Sequence, residues 1–195
     1  MKKHNSVIAR LLVIIQGIPH GKNCRFHGIP VILKTGGGEI TLGDNVTVIS
    51  GFFDNLIGLY QRSIIFARDG AKIHIGNNVG LSGTTVYSFN SIEIGHNAII
   101  GANTKILDSD FHPVNADARL ENCDNKEKTL TKPIMIGNNV FIGCNCIILK
   151  GSNIGDNCVV GAGSVVSGYF APNTIIAGNP ARIIKEIRGV TNGLK

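Results

Sequence analysis

Residues 134–167 carry a hydrophobic repeat with a period of six, and this repeat limits what the chain can fold into. An aliphatic residue recurs at every sixth position without a slip, at Ile136, Ile142, Ile148, Ile154, Val160 and Val166. An α-helix repeats every ~3.6 residues and a β-strand every ~2 residues, so neither period explains the pattern. A short repeat held this long is typical of a β-solenoid, in which each coil stacks on its neighbours. The sequence therefore predicts an all-β fold built from stacked coils.

Fainter copies of the repeat occur earlier in the chain, at 40–48, 73–81 and 92–106. Three hexapeptides would form one triangular coil of about 18 residues, with an aliphatic residue pointing inward on each flat side. The Gly, Asn and Asp residues between the hexapeptides suit tight corners, because they tolerate the backbone angles of turns. The stretch 51–63 breaks the pattern, and we expect it to form a wider coil or a protruding loop.

The distribution of the repeat predicts one solenoid domain over the whole chain of 195 residues. We expect a cap and first coil at 1–39, the β-helix at 40–180, and a helix with a tail at 181–195. Residues 6–16 and 181–188 have the composition of short amphipathic helices, with aliphatic residues on one side and polar residues on the other.

After residue 73 the repeat has one strong interruption, between Ile106 and Ile134. Counting six positions from Ile106 leads to His112, where an inward aliphatic residue would be due. Residues 108–133 are polar, charged and aperiodic. A long aperiodic stretch within a compact domain is often functional. We therefore predict a loop that is extruded from one corner of the solenoid, with His112 near its start.

The net charge of +6 points to an anionic ligand. No run of Lys and Arg exceeds two residues, and no aromatic residues alternate with them, which argues against nucleic acid as the partner. A cofactor that carries phosphate groups fits better. The apolar run from Leu11 to Ile15 is too short for a secretion signal and has no cleavage site after it. We expect a cytoplasmic protein without a membrane span.

The five cysteines are predicted to be reduced, and three of them lie within the regular repeat. Cys146 and Cys158 occupy repeat positions that favour small buried side chains. Cys144 and Cys146 could suggest a metal site, but we expect their two side chains to point to opposite faces. His74 and His96 occupy outward positions and are interpreted as surface residues. The sequence therefore predicts no metal site.

Several motifs together resemble the hexapeptide-repeat acyltransferase family. They are the repeats themselves, the Phe-His-Pro sequence in the loop, GAGSVV at 161–166 and AGNPARIIKEI at 177–187. The pattern is most similar to the galactoside, maltose and nodulation-factor O-acetyltransferases, and to those of capsule and lipopolysaccharide synthesis. The resemblance is dense over 73–188 and thin before residue 40.

This resemblance implies a left-handed parallel β-helix and a homotrimer with active sites between subunits. It also implies transfer of an acetyl group from acetyl-CoA to a hydroxyl of a sugar or glycan precursor, without a required metal. N-acetylation of an amino sugar and a non-catalytic scaffold are the alternatives. A metal-dependent hydratase of similar fold is disfavoured, because the chain lacks its His-x4-His pair.

His112 matches the catalytic histidine of the family, in its His-Pro pair. Attack of a hydroxyl on a thioester needs a base, and an unperturbed imidazole with a pKa near 6.5 suits neutral pH. Such a base usually has a partner that fixes its tautomer. Asp110 is our candidate, with Asp108 and a backbone carbonyl as alternatives.

Motif matches also predict the binding residues. The cofactor residues are Gly143, Cys144, Ala162, Ser167, Arg182 and Lys185, of which the last two would meet the phosphates of CoA. The acceptor residues are Ser82, Thr84 and Arg119. Galactoside-type enzymes have Asn where this chain has Thr84, so the acceptor contacts are expected to differ from theirs.

Overall fold

The structure is a computed structural model that describes residues 6–187. Its helices are α1 (Val7–Ile15) and α2 (Ala116–Glu121), with a short 3-10 helix at Phe52–Asp54. The first strands are β1 (Arg25–His27), β2 (Val31–Thr35), β3 (Glu39–Leu42), β4 (Thr47–Ile49), β5 (Ile64–Arg68), β6 (Lys72–Ile75), β7 (Gly80–Ser82), β8 (Thr85–Ser88), β9 (Ser91–Ile94), β10 (Ile99–Ile100) and β11 (Lys105–Leu107). The later strands are β12 (Ile134–Ile136), β13 (Phe141–Ile142), β14 (Ile147–Leu149), β15 (Asn153–Ile154), β16 (Val159–Val160), β17 (Val165–Val166), β18 (Tyr169–Phe170), β19 (Thr174–Gly178) and β20 (Ala181–Glu186).

The strands form three sheets, which are the three sides of a parallel β-solenoid. Sheet A has the order β1-β4-β7-β10-β13-β16-β19-β20, sheet B β18-β15-β12-β9-β6-β3 and sheet C β17-β14-β11-β8-β5-β2. Each coil gives one strand to sheet A, then one to sheet C, then one to sheet B. All strand pairs are parallel except β19 with β20. The predicted all-β architecture of stacked coils is therefore confirmed.

The hydrophobic core is a column of aliphatic residues, one from each side of each coil. Ile106 illustrates the stacking, because its strand pairs with Val86 on one side and Ile148 on the other. All three side chains have no exposed surface. After the loop the register continues, with Ile134 beside Ile92. The period of six thus places one buried aliphatic residue per strand, and burying each contributes about 1.5–3 kcal/mol.

The corner from sheet B to sheet A is built from stacked asparagines, and we call it the ladder corner. Six asparagines at this corner adopt a left-handed backbone, with φ of 56–61°. The side-chain NH₂ of each donates a hydrogen bond to the side-chain oxygen of the next one, up to the last in the series: Asn45, Asn78, Asn97, Asn139, Asn157 and Asn173. Asparagine tolerates this backbone region better than most residues. His96 lies one position before Asn97 and its Nδ1 accepts the N–H of Asn77 at 2.9 Å. His96 therefore lies at the surface, as expected, and its ring also stabilises the ladder corner.

Helix α1 covers the first coil, as the predicted N-terminal helix would. Ser6 caps it by accepting the N–H of Ala9, and Ala9 and Val13 are its buried residues. The opposite face of the helix exposes aliphatic side chains, including Val7 and Ile15. Within residues 6–187, none of the helices is long and apolar enough to cross a membrane.

The predicted C-terminal helix is wrong over the described residues, because 181–186 form strand β20. This strand turns back and pairs antiparallel with β19, so that Ala177 lies opposite Arg182. The spacing of Ile183 and Ile184 fitted a helix, but β-branched residues also favour strands, and the open edge of β19 offers backbone partners. Residues 188–195, the rest of the predicted helix and tail, lie outside the described residues.

Candidate functional site

The long loop leaves the solenoid at the corner from sheet C to sheet B, which we call the loop corner. Its two ends are joined, because Ser109 bridges to Thr131 and the N–H of Lys132 donates to the carbonyl of Asp108. Between them lies helix α2, capped by the side chain of Asn115. The loop therefore has a closed base and a helix of its own, although its sequence is aperiodic.

Asp108 anchors the start of this loop from within the solenoid. Its side chain is fully buried, and its carboxylate accepts the hydroxyl of Ser88 at 2.5 Å and the N–H groups of Phe89 and Asn90 at 2.8 and 2.9 Å. Burial raises the pKa of Asp108, and these hydrogen bonds partly offset that effect. Asp108 therefore holds the backbone in place at a point four residues before His112.

Phe111 directs His112 outward. Its φ is +64°, which is unusual for a bulky residue and marks a backbone held in place by its surroundings. Its ring packs edge-to-face against Tyr87 and Phe89, at centroid distances of 5.2 and 5.6 Å. The aromatic contacts support this turn, which the sequence analysis did not foresee. The only hint in the sequence is that Phe111 directly precedes His112.

His112 is exposed and its tautomer is defined by a backbone contact. Nδ1 lies 2.8 Å from the carbonyl oxygen of Cys123, and a carbonyl can only accept, so Nδ1 carries the proton of the neutral ring. The other nitrogen, Nε2, then presents its lone pair. Among the described residues no hydrogen bond to Nε2 is present. Sequence reasoning left a backbone carbonyl as an alternative but could not find Cys123, which is 11 positions away.

In this structure Asp110 does not contact His112, although the sequence predicts that it orients this histidine. Its Oδ1 pairs with the ammonium group of Lys150 at 2.6 Å, and both side chains are about three-quarters buried. Its Oδ2 is buried and has no hydrogen-bond partner among the described residues. The contact joins the loop to the turn after β14. Asp110 therefore fixes the position of the loop and contacts Lys150 rather than His112.

Two predicted acceptor residues have internal partners. Arg119 donates from Nη1 to the carbonyls of Pro113 and Val114, which directly follow His112. Thr84 is fully buried, and its hydroxyl donates to the carbonyl of Ser82 and accepts the Ser82 N–H. Thr84 has no exposed surface with which to contact an acceptor, so the structure contradicts that prediction. The hydroxyl instead fixes the backbone of Ser82.

A groove of about 520 Å³ runs along the corner from sheet A to sheet C, which we call the groove corner. Four predicted site residues line it: Ser82, Gly143, Cys144 and Ala162. Asn55 and Ile57, from the irregular stretch 51–63, line the same groove, and Asn55 donates to the hydroxyl of Ser82 at 2.7 Å. The structure thus brings together the predicted residues of the regular coils and a loop that the sequence marked only as irregular.

The wall of the groove depends on the close stacking of coils at this corner. A Cβ on Gly143 would lie 2.6 Å from the backbone nitrogen of Ala162, so a larger residue does not fit there. The next position along the corner is Ala177, because β16 pairs with β19. Ala177 lies opposite Arg182 in β20. Arg182 therefore stands at the C-terminal end of the groove corner, where its positive charge is exposed.

The remaining predicted cofactor residues are not in the groove. Ser167 is exposed in the turn between β17 and β18, which belongs to the loop corner. Lys185 is exposed on β20 opposite Ile175, at the end of β19 that is remote from the groove corner. In one copy of the chain, the predicted cofactor residues therefore do not lie together, because Ser167 is at the loop corner and Lys185 is near the ladder corner.

The family model for the bacterial transferase hexapeptide (six repeats) matches residues 133–168. The putative lipopolysaccharide biosynthesis O-acetyl transferase WbbJ of Escherichia coli K12 is 31% identical over 168 residues, which cover 85% of this chain and 80% of that protein. The chain belongs to the hexapeptide-repeat transferase family. The predicted family resemblance is thereby confirmed.

A galactoside O-acetyltransferase matches the sequence of this chain over a shorter span, and a solved structure of such an enzyme matches its fold over most of its length. The galactoside O-acetyltransferase of Escherichia coli K12 is 40% identical over 119 residues, or 60% of this chain, and this span is only 56% of that protein. A solved structure of galactoside acetyltransferase in complex with coenzyme A has a TM-score of 0.56 and 26% identity. This structural match covers 96% of the present chain and 74% of the galactoside acetyltransferase chain.

Proposed function

We propose that this protein is an acetyl-CoA-dependent O-acetyltransferase that acts on a hydroxyl of a sugar or glycan precursor. The observation that carries the proposal is His112, whose Nδ1–H is held by the carbonyl of Cys123 so that Nε2 is free to accept a proton. One E. coli relative is named a galactoside O-acetyltransferase, and the other a putative lipopolysaccharide biosynthesis O-acetyl transferase. The cytoplasmic location that we also propose agrees with the need for acetyl-CoA as donor.

In the proposed reaction, Nε2 of His112 removes the proton from the acceptor hydroxyl as its oxygen attacks the thioester carbonyl. The tetrahedral intermediate then collapses, the bond from carbon to sulfur breaks, and the thiolate of coenzyme A leaves. The imidazolium of His112 returns the proton to that thiolate. The fixed Nδ1–H contact stabilises the imidazolium, because Cys123 offers a carbonyl oxygen to the positively charged ring.

The donor is proposed to lie along the groove corner. The groove is mostly apolar beside Gly143 and Ala162, which suits a pantetheine arm, and backbone groups of the turns would supply its polar contacts. Arg182 continues this line and would meet a phosphate group. The coenzyme A in the related galactoside acetyltransferase structure supports this choice of donor.

The division of the site between two corners supports a homotrimer. Sheet C separates the groove corner from the loop corner, and its strands of two to five residues span about 7–16 Å at ~3.3 Å per residue. Acetyl transfer needs its reacting atoms at about 3–3.5 Å. We propose that His112 of one copy reaches the groove of the next, in a trimer of left-handed solenoids.

Titration with coenzyme A and an acetyl-transfer assay test this function together. We expect saturable binding of coenzyme A, and acceptor-dependent release of free thiol from acetyl-CoA across a panel of sugars that includes amino sugars. Treatment of the products with mild base, which cleaves an acetyl ester but leaves an acetyl amide intact, then separates O-acetylation from N-acetylation. Ala162→Trp should abolish binding by filling the groove, whereas Thr41→Trp, on the exposed face of β3, should not. Absence of coenzyme A binding to the native protein would refute the proposal.

Arg119 is expected to position His112 rather than bind the acceptor. Nη1 of its guanidinium donates to the carbonyls of Pro113 and Val114, so Arg119→Ala removes both hydrogen bonds and loosens the segment after the base. We expect a fall in kcat of about tenfold, since small displacements of a catalytic group are costly. The KM for the acceptor should stay unchanged. A raised acceptor KM with normal kcat would instead support the acceptor role suggested by the sequence.

A further inference from the structure

Three side chains capable of binding a metal converge on the long loop. They are His112, Cys123 and Asp124, and one ligand atom of each lies within 4.8 Å of the others. Nδ1 of His112 is 3.7 Å from Oδ1 of Asp124. All three residues are exposed, and Cys123 is a free thiol. Among residues 6–187 this is the one group of three such side chains.

The composition and spacing of this group fit a tetrahedral transition metal. Thiolate, imidazole and carboxylate are all ligands of Zn²⁺, with bonds of about 2.3, 2.0 and 2.1 Å. Those bonds place neighbouring ligand atoms about 3.3–3.6 Å apart in a tetrahedron, with the nitrogen and oxygen about 3.4 Å apart. The observed 3.7 Å between Nδ1 and Oδ1 is a few tenths of an ångström longer than that separation. Small rotations of exposed side chains would therefore complete three ligands and leave a fourth position for water.

The charges of the group are also suited to a divalent cation. One thiolate and one carboxylate would balance the two positive charges of Zn²⁺, and the neutral imidazole adds none. The thiol of Cys123 would give up its proton to solvent on binding. The cluster was not apparent in the sequence, because the loop must fold back to bring Cys123 and Asp124 against His112, more than ten positions away.

We propose that His112, Cys123 and Asp124 form an inhibitory binding site for a thiophilic divalent metal such as Zn²⁺. Binding through Nδ1 displaces the proton that Nδ1 now donates to the carbonyl of Cys123, so the single proton of the neutral ring moves to Nε2. Binding through Nε2 occupies its lone pair directly. Either mode removes the lone pair that accepts the acceptor's proton. The inhibition rests on the proposed function of His112, whereas the metal site itself does not.

Zinc binding is measured first, without acetyl-CoA, by competition with a chromogenic chelator. The native protein, freed of metal, should bind one Zn²⁺ per chain, and Cys123→Ser and Asp124→Asn should each weaken binding at least tenfold. Cys144→Ser and His74→Ala are matched controls, because each removes a ligand-type side chain elsewhere on the chain, and both should keep the native affinity. Equal affinity in all variants, or no saturable binding, would overturn the site.

Inhibition is measured second, from the acetylated product, because released thiol itself binds zinc. Zn²⁺ should suppress transfer over the same concentrations that fill the site. In Cys123→Ser, compared with its own metal-free rate, at least tenfold more Zn²⁺ should be needed. Zinc that binds at the cluster without slowing transfer would refute the inhibitory role. A native protein that binds zinc but transfers no acetyl group would instead count against the proposed function and leave the metal site standing.

Discussion

His112→Ala is expected to slow acetyl transfer by a factor of about 10²–10⁴, the usual contribution of a general base. The side chain is exposed, and its removal leaves the core untouched, so the free energy of unfolding and the affinity for coenzyme A should stay close to native. Transfer rates, thermal unfolding and coenzyme A titration on the same preparation check these expectations. His74→Ala, an exposed histidine on sheet B, is the control. Near-native turnover of His112→Ala would rule out the role of this residue as base.

The same variant tests whether two copies of the chain share a site. His112→Ala has an intact groove, and Ala162→Trp has an intact loop, so each lacks a different half of the proposed site. If the loop of one copy serves the groove of the next, a mixture that is unfolded and refolded together should regain a fraction of the native rate. No recovery in assembled mixtures would indicate that each site is built from a single chain.

Asp108→Ala is expected to lower the free energy of unfolding by about 3 kcal/mol or more. The substitution leaves the buried hydroxyl of Ser88 and the part-buried N–H groups of Phe89 and Asn90 without their acceptor, and an unsatisfied buried group costs about 1–3 kcal/mol. Asp108→Asn keeps one oxygen but places an NH₂ group among donors, so its cost should be intermediate. Urea denaturation of the three proteins measures the differences. Equal stability of all three would show that the buried carboxylate contributes nothing net.

The stability that Asp108 contributes should also depend on pH in a defined direction. Because burial raises the pKa of Asp108 above its ordinary value of about 3.9, the folded protein binds the proton more readily than the unfolded chain. The stability gained from that proton is fully present below the ordinary pKa and is lost as the pH rises through the folded-state pKa. The advantage of the native protein over Asp108→Asn should therefore grow as the pH falls from about 7 towards 4. If the difference in free energy of unfolding between the two proteins shrinks over this range, the pKa of Asp108 is not raised by folding.

The coils could be predicted from the sequence because each inward position is filled by the same kind of side chain. Ile136, Ile142 and Ile148 are six positions apart and all are buried, so the period alone defines which face is inside. The interruption at His112 was visible for the same reason. Motif matches grouped Gly143 and Ala162, and both line one groove in the structure, because stacking puts residues of equivalent positions next to each other.

The remaining features depend on contacts that have no periodic pattern. Asp110 pairs with Lys150, 40 positions away, and no local rule selects that partner over His112. Thr84 was expected near the acceptor, but the direction of its side chain follows from the tight bend beside Ser82, which buries it. The helix predicted after Pro180 is a strand because the last parallel strand offers an open edge, and the spacing of isoleucines cannot reveal a vacant edge.

The two ends of the solenoid bear on its solubility, because parallel coils could otherwise join end to end into fibres. At the start, the N–H of Ser6 donates a hydrogen bond to the carbonyl of Phe26 on β1, and His20 forms a parallel β-bridge to Leu42 on β3. At the other end, β20 runs antiparallel over β19 and displays charged residues, while β17 and β18 have only two residues each. Short, charged or covered edges make poor templates for another chain. Both ends of the solenoid therefore disfavour pairing with the strands of a second molecule, and this opposes end-to-end association.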